Sequence, residues 1–193
     1  MPKQVVSIDV DAFSSGQVGS KKWLCDALEN INYPSPLTVW IYGGWHGILS
    51  FMLLSRNTLK IHKIRSFDID PTCEPIADII NENWVWRNWQ FKAFTRDCNI
   101  LNTQSNEFGD IPNLVINTSA EHMGSMAWFE NLPKGIMVIV QSNDMAHDDH
   151  KPGHSSIDDF DNTYPMHQVL FLDQLEFDYK IWKFNRFMKI GIV

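Results

Sequence analysis

The chain has 193 residues, of which 44% are hydrophobic and 20% charged, and its formal net charge is −7. These values are typical of one globular domain, here 1–193, with a sizeable core. The negative charge argues against broad binding to a phosphate backbone, which needs clustered Lys and Arg. No apolar stretch is long enough to cross a bilayer and no signal peptide is apparent, so we expect no membrane partner. Three widely spaced cysteines without a CxxC pair favour a reducing compartment, and hence a cytoplasmic location.

The first predicted element is a helix in a helical N-terminal cover, residues 1–34. The stretch "SSGQVGSKKWLCDALEN" (14–30) combines a capping start with apolar residues at helical spacing. Next, "LTVWIY" (37–42) is a β-branched and aromatic run between a Pro-rich turn and a glycine cluster, which predicts a buried strand. A helix over "GILSFMLLSR" (47–56), a strand over "KIHKIRSFDID" (60–70) and a helix over "PTCEPIADIINEN" (71–83) follow.

The second half of the chain continues this alternation. Three further strands are predicted over "QFKAFTRD" (90–97), "NLVINT" (113–118) and "GIMVIVQS" (135–142), with a short amphipathic segment before the last. Residues 142–167 are polar and rich in Asp and His, which predicts a lid loop with helical turns around "SSIDDF". Residues 168–193 predict a terminal antiparallel β-hairpin. The near-continuous apolar strands indicate an α/β fold with a mostly parallel sheet and helices on both faces.

Polar residues follow the predicted strands at their carboxyl ends. In an open α/β sheet, ligands bind outside these ends, so the polar residues are expected to lie close together. Glycines let the backbone approach a ligand closely. A carboxylate after the second strand can accept from ribose hydroxyls, and one after the third from an adenine amino group. The pattern predicts a nucleotide site, whereas the glycines alone would fit an ordinary tight turn. The strand ends are Gly43–Gly47, Asp68–Asp70, Asp97, Asn117–His122 and Gln141–Asn143.

Four stretches, "VWIYGGWHG", "SFDIDP", "FTRDC" and "PNLVINTSAEHM", together resemble the class I S-adenosylmethionine-dependent methyltransferases over about residues 37–142. The combination also resembles a subgroup of methyltransferase-like proteins associated with phages. The resemblance implies a Rossmann-like fold, S-adenosylmethionine as cofactor and methyl transfer as the activity. The cofactor-binding residues that it implies are Gly43, Gly44, Trp45, Gly47, Asp68 and Asp97.

Two residues depart from the family's pattern. Ile41 stands where the family's first acid usually lies, and Trp45 replaces the central glycine. The methionine end of the cofactor is therefore expected to be held differently, or the ligand is not S-adenosylmethionine. In this superfamily a helix before the first strand often covers the cofactor. Gln17 and Lys21 are accordingly expected to reach its carboxylate or the substrate, with ordinary helix capping as the alternative.

The segment "NTSAEHM" (117–123) carries the candidate catalytic residues Asn117, Glu121 and His122. It is not the Asn-Pro-Pro-Tyr loop of nucleic-acid amino-methyltransferases. An imidazole with a near-neutral pKa can take the proton from a hydroxyl or nitrogen nucleophile. The alternatives are that Glu121 caps a helix starting near Ser125 and that His122 only packs. In the phage-associated subgroup a histidine follows the fifth strand; His154 is its match, and it is expected to close over the substrate.

The acidic loop also admits a metal site. "HDDHKPGH" (147–154) brings three His close to two Asp, and these ligand types suit zinc or iron. Close spacing in a flexible loop does not define a ligand geometry, and no HExxH motif supports it. A solvated lid is favoured, and no metal ligand is assigned. The residues concerned are His147, Asp148, Asp149, His150 and His154.

These observations favour an S-adenosylmethionine-dependent methyltransferase whose acceptor is a small polar or cationic molecule. Nucleic acid is the less favoured acceptor, because the basic residues near the C-terminus would lie on alternate strand faces and form no single patch. Two other functions stay open: a non-catalytic nucleotide-binding regulatory or scaffold protein of the same fold, and a metal-dependent enzyme that uses the His/Asp loop. The basic residues are Lys180, Lys183, Arg186 and Lys189.

Overall fold

A seven-stranded sheet organises the computed structural model, which describes residues 7–145, 150 and 153–193. The strand order is β3-β2-β1-β4-β5-β7-β6. The first five strands run parallel, and β7 lies antiparallel to both of its neighbours, β5 and β6. The strands are β1 (Leu37–Tyr42), β2 (Ile61–Asp68), β3 (Phe91–Thr95), β4 (Leu114–Asn117), β5 (Met137–Asn143), β6 (Gln168–Asp178) and β7 (Lys183–Ile192).

Helices cover both faces of this sheet. Alternate residues of β1 show the division, because Val39 and Ile41 pack into one core while Trp40 and Tyr42 pack into the other. Residues of α1, α2 and α3 bury against the first face, and residues of α5 and α6 against the second. The predicted α/β architecture and the terminal hairpin are thus confirmed. The helices are α1 (Ser15–Glu29), α2 (Ile48–Leu54), α3 (Cys73–Ile80), α4 (Glu82–Val85), α5 (Ala127–Glu130) and α6 (Ile157–Thr163).

Gly47 joins the carboxyl end of β1 to α2. Its φ of +73° lies in the left-handed region, which glycine enters without strain. A Cβ at this position would lie 3.2 Å from the Cα of Ala77 and 2.7 Å from the Nδ2 of Asn81. That Nδ2 donates to the Gly47 carbonyl oxygen at 3.1 Å, while Asn81 itself is fully buried. Gly47 therefore serves a close approach between α2 and α3.

The sheet order reverses between β1 and β4, since β1 pairs with β2 on one side and with β4 on the other. The helices that follow β1 and β4, α2 and α5, pack on opposite faces of the sheet, and such a reversal point is where a crevice forms at the carboxyl ends of the strands. Among the described residues, no helix has the length and apolar character needed to span a bilayer.

The segment 142–167 was expected to be a polar lid loop with helical turns around "SSIDDF" (155–160). It begins inside β5, which continues to Asn143, and it contains α6. The Oγ of Ser156 accepts from the Asp159 N–H at 3.1 Å and so caps this helix. Phe160 is buried in the core on its inner face. The helical turns expected around "SSIDDF" are thus present as one capped helix, anchored by Phe160.

Candidate functional site

A cavity of about 440 Å³ opens at the carboxyl ends of the parallel strands. Its volume lies in the range of small-molecule sites. Many of the residues proposed from the sequence line it, although they come from α1, from the carboxyl ends of β1, β2 and β3, and from the turn after β4. These are Gln17, Lys21, Gly43, Gly44, Trp45, Asp68, Asp97, Glu121 and His122. Gly47, Asn117 and His154 are not part of its wall.

The turn after β1 is tightly confined by its neighbours. A Cβ on Gly43 would lie 3.1 Å from the Cβ of Ser119, and one on Gly44 would lie 1.9 Å from the Oγ of Ser66. Trp45 has a φ of +45°, in the left-handed region that costs an L-residue about 1–2 kcal/mol. Its N–H donates to the Oδ2 of Asp68 at 2.8 Å. The end of β2 thus fixes the glycine turn in a strained backbone conformation.

Two carboxylates mark the ends of β2 and β3. Asp68 also accepts from the Asp70 N–H at 3.1 Å through Oδ1, and ionised carboxylate oxygens each have more than one acceptor site. Asp97 accepts from the Asn99 N–H at 2.9 Å and begins the short 3-10 turn Cys98–Ile100. Ile69 lines the cavity beside these acids and is 69% exposed. This side of the cavity offers acceptors for hydroxyl and amino groups, and an apolar surface for a flat ring.

Cys98 lies in the cavity wall directly after Asp97. Burial raises the pKa of its thiol to about 12, so the side chain is a neutral thiol near pH 7. Cys25 and Cys73 are buried as well, and none of the three forms a disulfide.

The opposite side of the cavity carries a buried ion pair. Glu121 is 2% exposed, and its Oε1 accepts from the Nη1 of Arg186 at 2.8 Å and from the Nδ2 of Asn143 at 2.6 Å. The Oε2 of Glu121 is buried and has no hydrogen-bond partner within the described part of the chain. The idea that Glu121 caps a helix near Ser125 is wrong. Ser125 itself accepts from the Ala127 N–H at 3.1 Å.

Lys21 brings a second buried cation to the same side. It is 7% exposed, and its Nζ donates to the Oε1 of Gln17 at 2.6 Å. Burial, together with the nearby charge of Arg186, lowers the pKa of Lys21 to about 8, although Asp11 and Glu121 oppose the shift. Lys21 therefore still carries a positive charge near pH 7. Helix capping belongs instead to Ser14, whose Oγ accepts from the Gln17 N–H at 3.3 Å.

His122 is an exposed residue at the rim of the cavity. Its ring centroid lies 4.8 Å from that of His150, with the two rings nearly perpendicular. This position leaves the imidazole at the edge of the cavity. Asn117 is fully buried, and its Oδ1 accepts from the Ser119 N–H at 2.9 Å, so it shapes the turn that presents His122.

His154 occupies a different environment from the one expected for a residue that closes over a substrate. It is 4% exposed, and its Nδ1 lies 2.8 Å from the Oγ of Ser142. Its ring packs against Phe160 and Tyr164, and burial lowers its pKa. The His154 side chain thus connects the end of β5 with α6, and it lies against the core on the second face of the sheet.

Solved structures resemble the chain over almost its whole length. The N-methyltransferase NodS from Bradyrhizobium japonicum WM9, crystallised with S-adenosyl-L-homocysteine, matches 91% of this chain and 87% of its own at a TM-score of 0.64 and 10% identity. The magnesium protoporphyrin IX methyltransferase ChlM from Synechocystis PCC 6803, crystallised with S-adenosylmethionine, matches 97% of this chain and 86% of its own at a TM-score of 0.59 and 13% identity. The chain has the class I methyltransferase fold. No protein-family model and no curated sequence matches it.

Another structure, a putative sarcosine dimethylglycine methyltransferase from Galdieria sulphuraria, has a TM-score of 0.65 at 8% identity and covers 97% of this chain and 91% of its own. At such identities the likeness is one of fold. Within this methyltransferase fold, the described cavity lies at the point where the strand order reverses.

The sequence prediction missed several residues of the cavity wall. Arg186 was noticed only as one of the basic residues near the C-terminus. Its place in the largely apolar run "RFMKIGI", which also contains Lys189, was the available signal, because a charged residue in a buried strand needs a partner. Lys189 is buried too and donates to the Tyr164 carbonyl oxygen at 2.7 Å. The other missed residues include Asp11 and Asn99, for which the pattern gave no signal.

Most residues of the hypothetical metal site lie outside the part of the chain that the structure describes. His147, Asp148 and Asp149 lie outside the described residues. In the part of the chain that is described, no three His, Cys, Asp or Glu side chains are grouped so that they could hold a metal ion.

Proposed function

We propose that the chain is an S-adenosylmethionine-dependent methyltransferase acting on a small polar acceptor. The observation that carries the proposal is the convergence of a confined glycine turn and two carboxylates, Asp68 and Asp97, on one cavity. Because Gly43 and Gly44 have no side chains, the turn packs directly against Ser119 and Ser66 while both glycines line the cavity. We assign Asp68 to the ribose hydroxyls and Asp97 to the adenine amino group. The cofactors bound to NodS and ChlM support the choice of ligand.

Methyl transfer requires alignment of the acceptor and removal of its proton. When bound, S-adenosylmethionine would supply an activated methyl group to a nucleophile in line with its carbon–sulfur bond. We assign proton removal to His122, since it stands at the cavity rim and imidazole titrates near neutral pH. Ile41, Leu49 and Met123 line the cavity with apolar groups that restrict water around the reacting atoms.

The size and charge of the site favour a small acceptor. A cavity of about 440 Å³ has little room for a polymer beside a nucleoside. Arg186 and Lys189 point into the protein, and Lys183 is paired with Glu176 and Asp178. These residues form no basic surface for a phosphate backbone.

Titration calorimetry tests the cofactor assignment. S-adenosylmethionine and S-adenosyl-L-homocysteine should bind, and NAD should not. Asp68→Ala should lower the affinity for S-adenosylmethionine and for S-adenosyl-L-homocysteine by about tenfold or more. The substitution removes charged hydrogen bonds to the ligand and leaves the Trp45 N–H without its acceptor. Asp70→Ala is the matched control, since Asp70 is an acid of the same loop that does not line the cavity. Unchanged affinity in Asp68→Ala would contradict its assignment, and absence of binding to the unmutated chain would refute the proposed function.

Ile41 favours one alternative, a nucleotide-binding regulatory protein of the same fold. Its side chain lines the cavity at the place of the family's first acid. This alternative predicts the same cofactor binding without transfer of a methyl group, so an activity measurement separates the two.

A further inference from the structure

A groove separate from the cofactor cavity lies on the second face of the sheet, beside the edge strand β3. Its volume is about 320 Å³, within the range of small-molecule sites, and it shares no wall residue with the cavity at the carboxyl ends of the strands. Strand β2 contributes Lys63 and Arg65, the turn before β3 contributes Asn88 and Trp89, and the loop before β4 contributes residues 106–109. The groove is therefore a second place where a ligand can bind.

Two cations that share one acid form the floor of this groove. Arg65 is 1% exposed, and Lys63 lies two residues before it on the same face of β2. The Nζ of Lys63, at 2.8 Å, and the Nη2 of Arg65, at 3.1 Å, both contact the Oδ2 of Asp110. One carboxylate balances only one of the two charges. Glu107, the acid of the wall, is exposed, so water and salt screen its charge. An excess of positive charge therefore remains at the floor.

Arg65 is held in place by the two loops that border the groove. Its Nε donates to the Phe108 carbonyl oxygen and its Nη1 to the Trp89 carbonyl oxygen, both at 2.8 Å. Nη2 carries two hydrogens, and within the described chain it donates to Asp110 alone. A Cβ on Gly109 would lie 3.7 Å from this Nη2, so the missing side chain leaves the guanidinium close to the groove. One hydrogen of a fixed, buried guanidinium is thus available to an anion.

Trp89 stands in a strained turn at the side of the groove. Its φ is +52° and that of Asn88 is +54°, in the left-handed region that costs an L-residue about 1–2 kcal/mol. Trp89 is nevertheless 53% exposed, and strain of this kind clusters at binding sites. Phe94 and Phe108 also line the groove, with ring centroids 4.9 Å apart. The groove therefore combines aromatic surfaces with a cationic floor.

We propose that this groove is a second ligand site, which binds a planar aromatic ring that carries an anionic group. The ring stacks on the indole of Trp89, and the anionic group accepts from the Nη2 of Arg65 and the Nζ of Lys63. An uncharged ring would leave the positive charge of the floor without an anion, and an anion without a ring would not use the indole. Nucleoside monophosphates and aryl carboxylates share this chemistry. The inference is independent of the proposed function, because the two sites have no residue in common.

Titration calorimetry with inosine 5′-monophosphate and 2-naphthoate tests the site and separates the two ligand sources. Inosine and 2-naphthamide are the uncharged counterparts of these probes. The chain is first mixed with an excess of S-adenosyl-L-homocysteine to occupy the cofactor cavity. Inosine also lacks the amino group that we assign to Asp97, so that cavity should not select it. Variants locate the binding even if S-adenosyl-L-homocysteine does not bind.

The groove variants are Trp89→Ala and Lys63→Met, and each has a matched control. Trp86→Ala removes an indole that is 79% exposed and lies outside the groove, and Lys60→Met removes an exposed lysine directly before β2. Arg65 is left unchanged, because its loss would release both loops from the floor. Far-UV circular dichroism checks that each variant is folded.

At least one anionic probe should bind, and its uncharged counterpart should bind at least about tenfold more weakly. Lys63→Met and Trp89→Ala should each lower the affinity for that probe by about tenfold, the usual order for a charged hydrogen bond and for ring stacking. Both controls should bind like the unmutated chain. Binding of neither anionic probe, equal affinities for a probe and its uncharged counterpart, or unchanged affinity in Lys63→Met would overturn the inference. Lys63→Met decides alone if Trp89→Ala does not fold.

Discussion

Gly47→Ala should destabilise the chain far more than the same change at another glycine with a left-handed backbone. A Cβ at Gly47 would lie 3.2 Å from the Cα and 3.0 Å from the Cβ of Ala77, and 2.7 Å from the Nδ2 of Asn81. The left-handed conformation alone costs an alanine about 1–2 kcal/mol. Displacing packed backbone adds about 1–3 kcal/mol. The free energy of unfolding should therefore fall by about 2–5 kcal/mol.

Gly135→Ala is the matched control for this prediction. Gly135 has a φ of +85°, but a Cβ there would meet no atom within 4 Å. Its cost should be limited to about 1–2 kcal/mol of backbone strain. Urea denaturation, followed by tryptophan fluorescence and far-UV circular dichroism, measures both variants. Equal losses of stability in the two variants would refute the packing argument for Gly47.

Gly44→Ala should weaken binding of S-adenosyl-L-homocysteine, because its Cβ would lie 1.9 Å from the Oγ of Ser66. Adding Ser66→Gly should restore part of the affinity. An affinity that stays as low as in Gly44→Ala would contradict the steric cause. The pKa of Lys21 is lowered from 10.5 to about 8, so the unfolded chain binds more protons between these values and stability should rise with pH across them, by at most about 3 kcal/mol. Lys21→Met should remove this rise in chemical denaturation curves. Burial lowers the pKa of His154 and of His46 below 6.5, so stability should fall as the pH drops below about 6.5. His154→Gln should flatten that fall, and an unchanged pH profile would argue against a buried neutral imidazole.

The sequence was informative where local chemistry and strand order act together. Gly43, Gly44, Asp68 and Asp97 each lie at or just beyond the carboxyl end of a strand, and parallel strands bring these ends to one edge of the sheet. Strand periodicity therefore predicted the elements and that these four residues meet at one cavity.

The charged side of the cavity needed tertiary information. Arg186 reaches Glu121 only because β7 inserts antiparallel between β5 and β6, a pairing that no local pattern specifies. His154 shows the opposite difficulty. Its neighbourhood in the sequence is polar, but the aromatic anchors Phe160 and Tyr164 draw it into the core. Both Arg186 and His154 are buried, and the residues next to them in the sequence do not predict this burial.

A methyl-transfer assay tests the central claim most directly. The purified chain is incubated with S-adenosylmethionine labelled in its methyl group and with separated small-molecule, RNA, DNA and protein fractions of a cell extract. We predict label in the small-molecule fraction, lost in His122→Ala while that variant still binds S-adenosyl-L-homocysteine. Label in no fraction, from a chain that binds S-adenosyl-L-homocysteine, would contradict methyl transfer and favour the regulatory alternative.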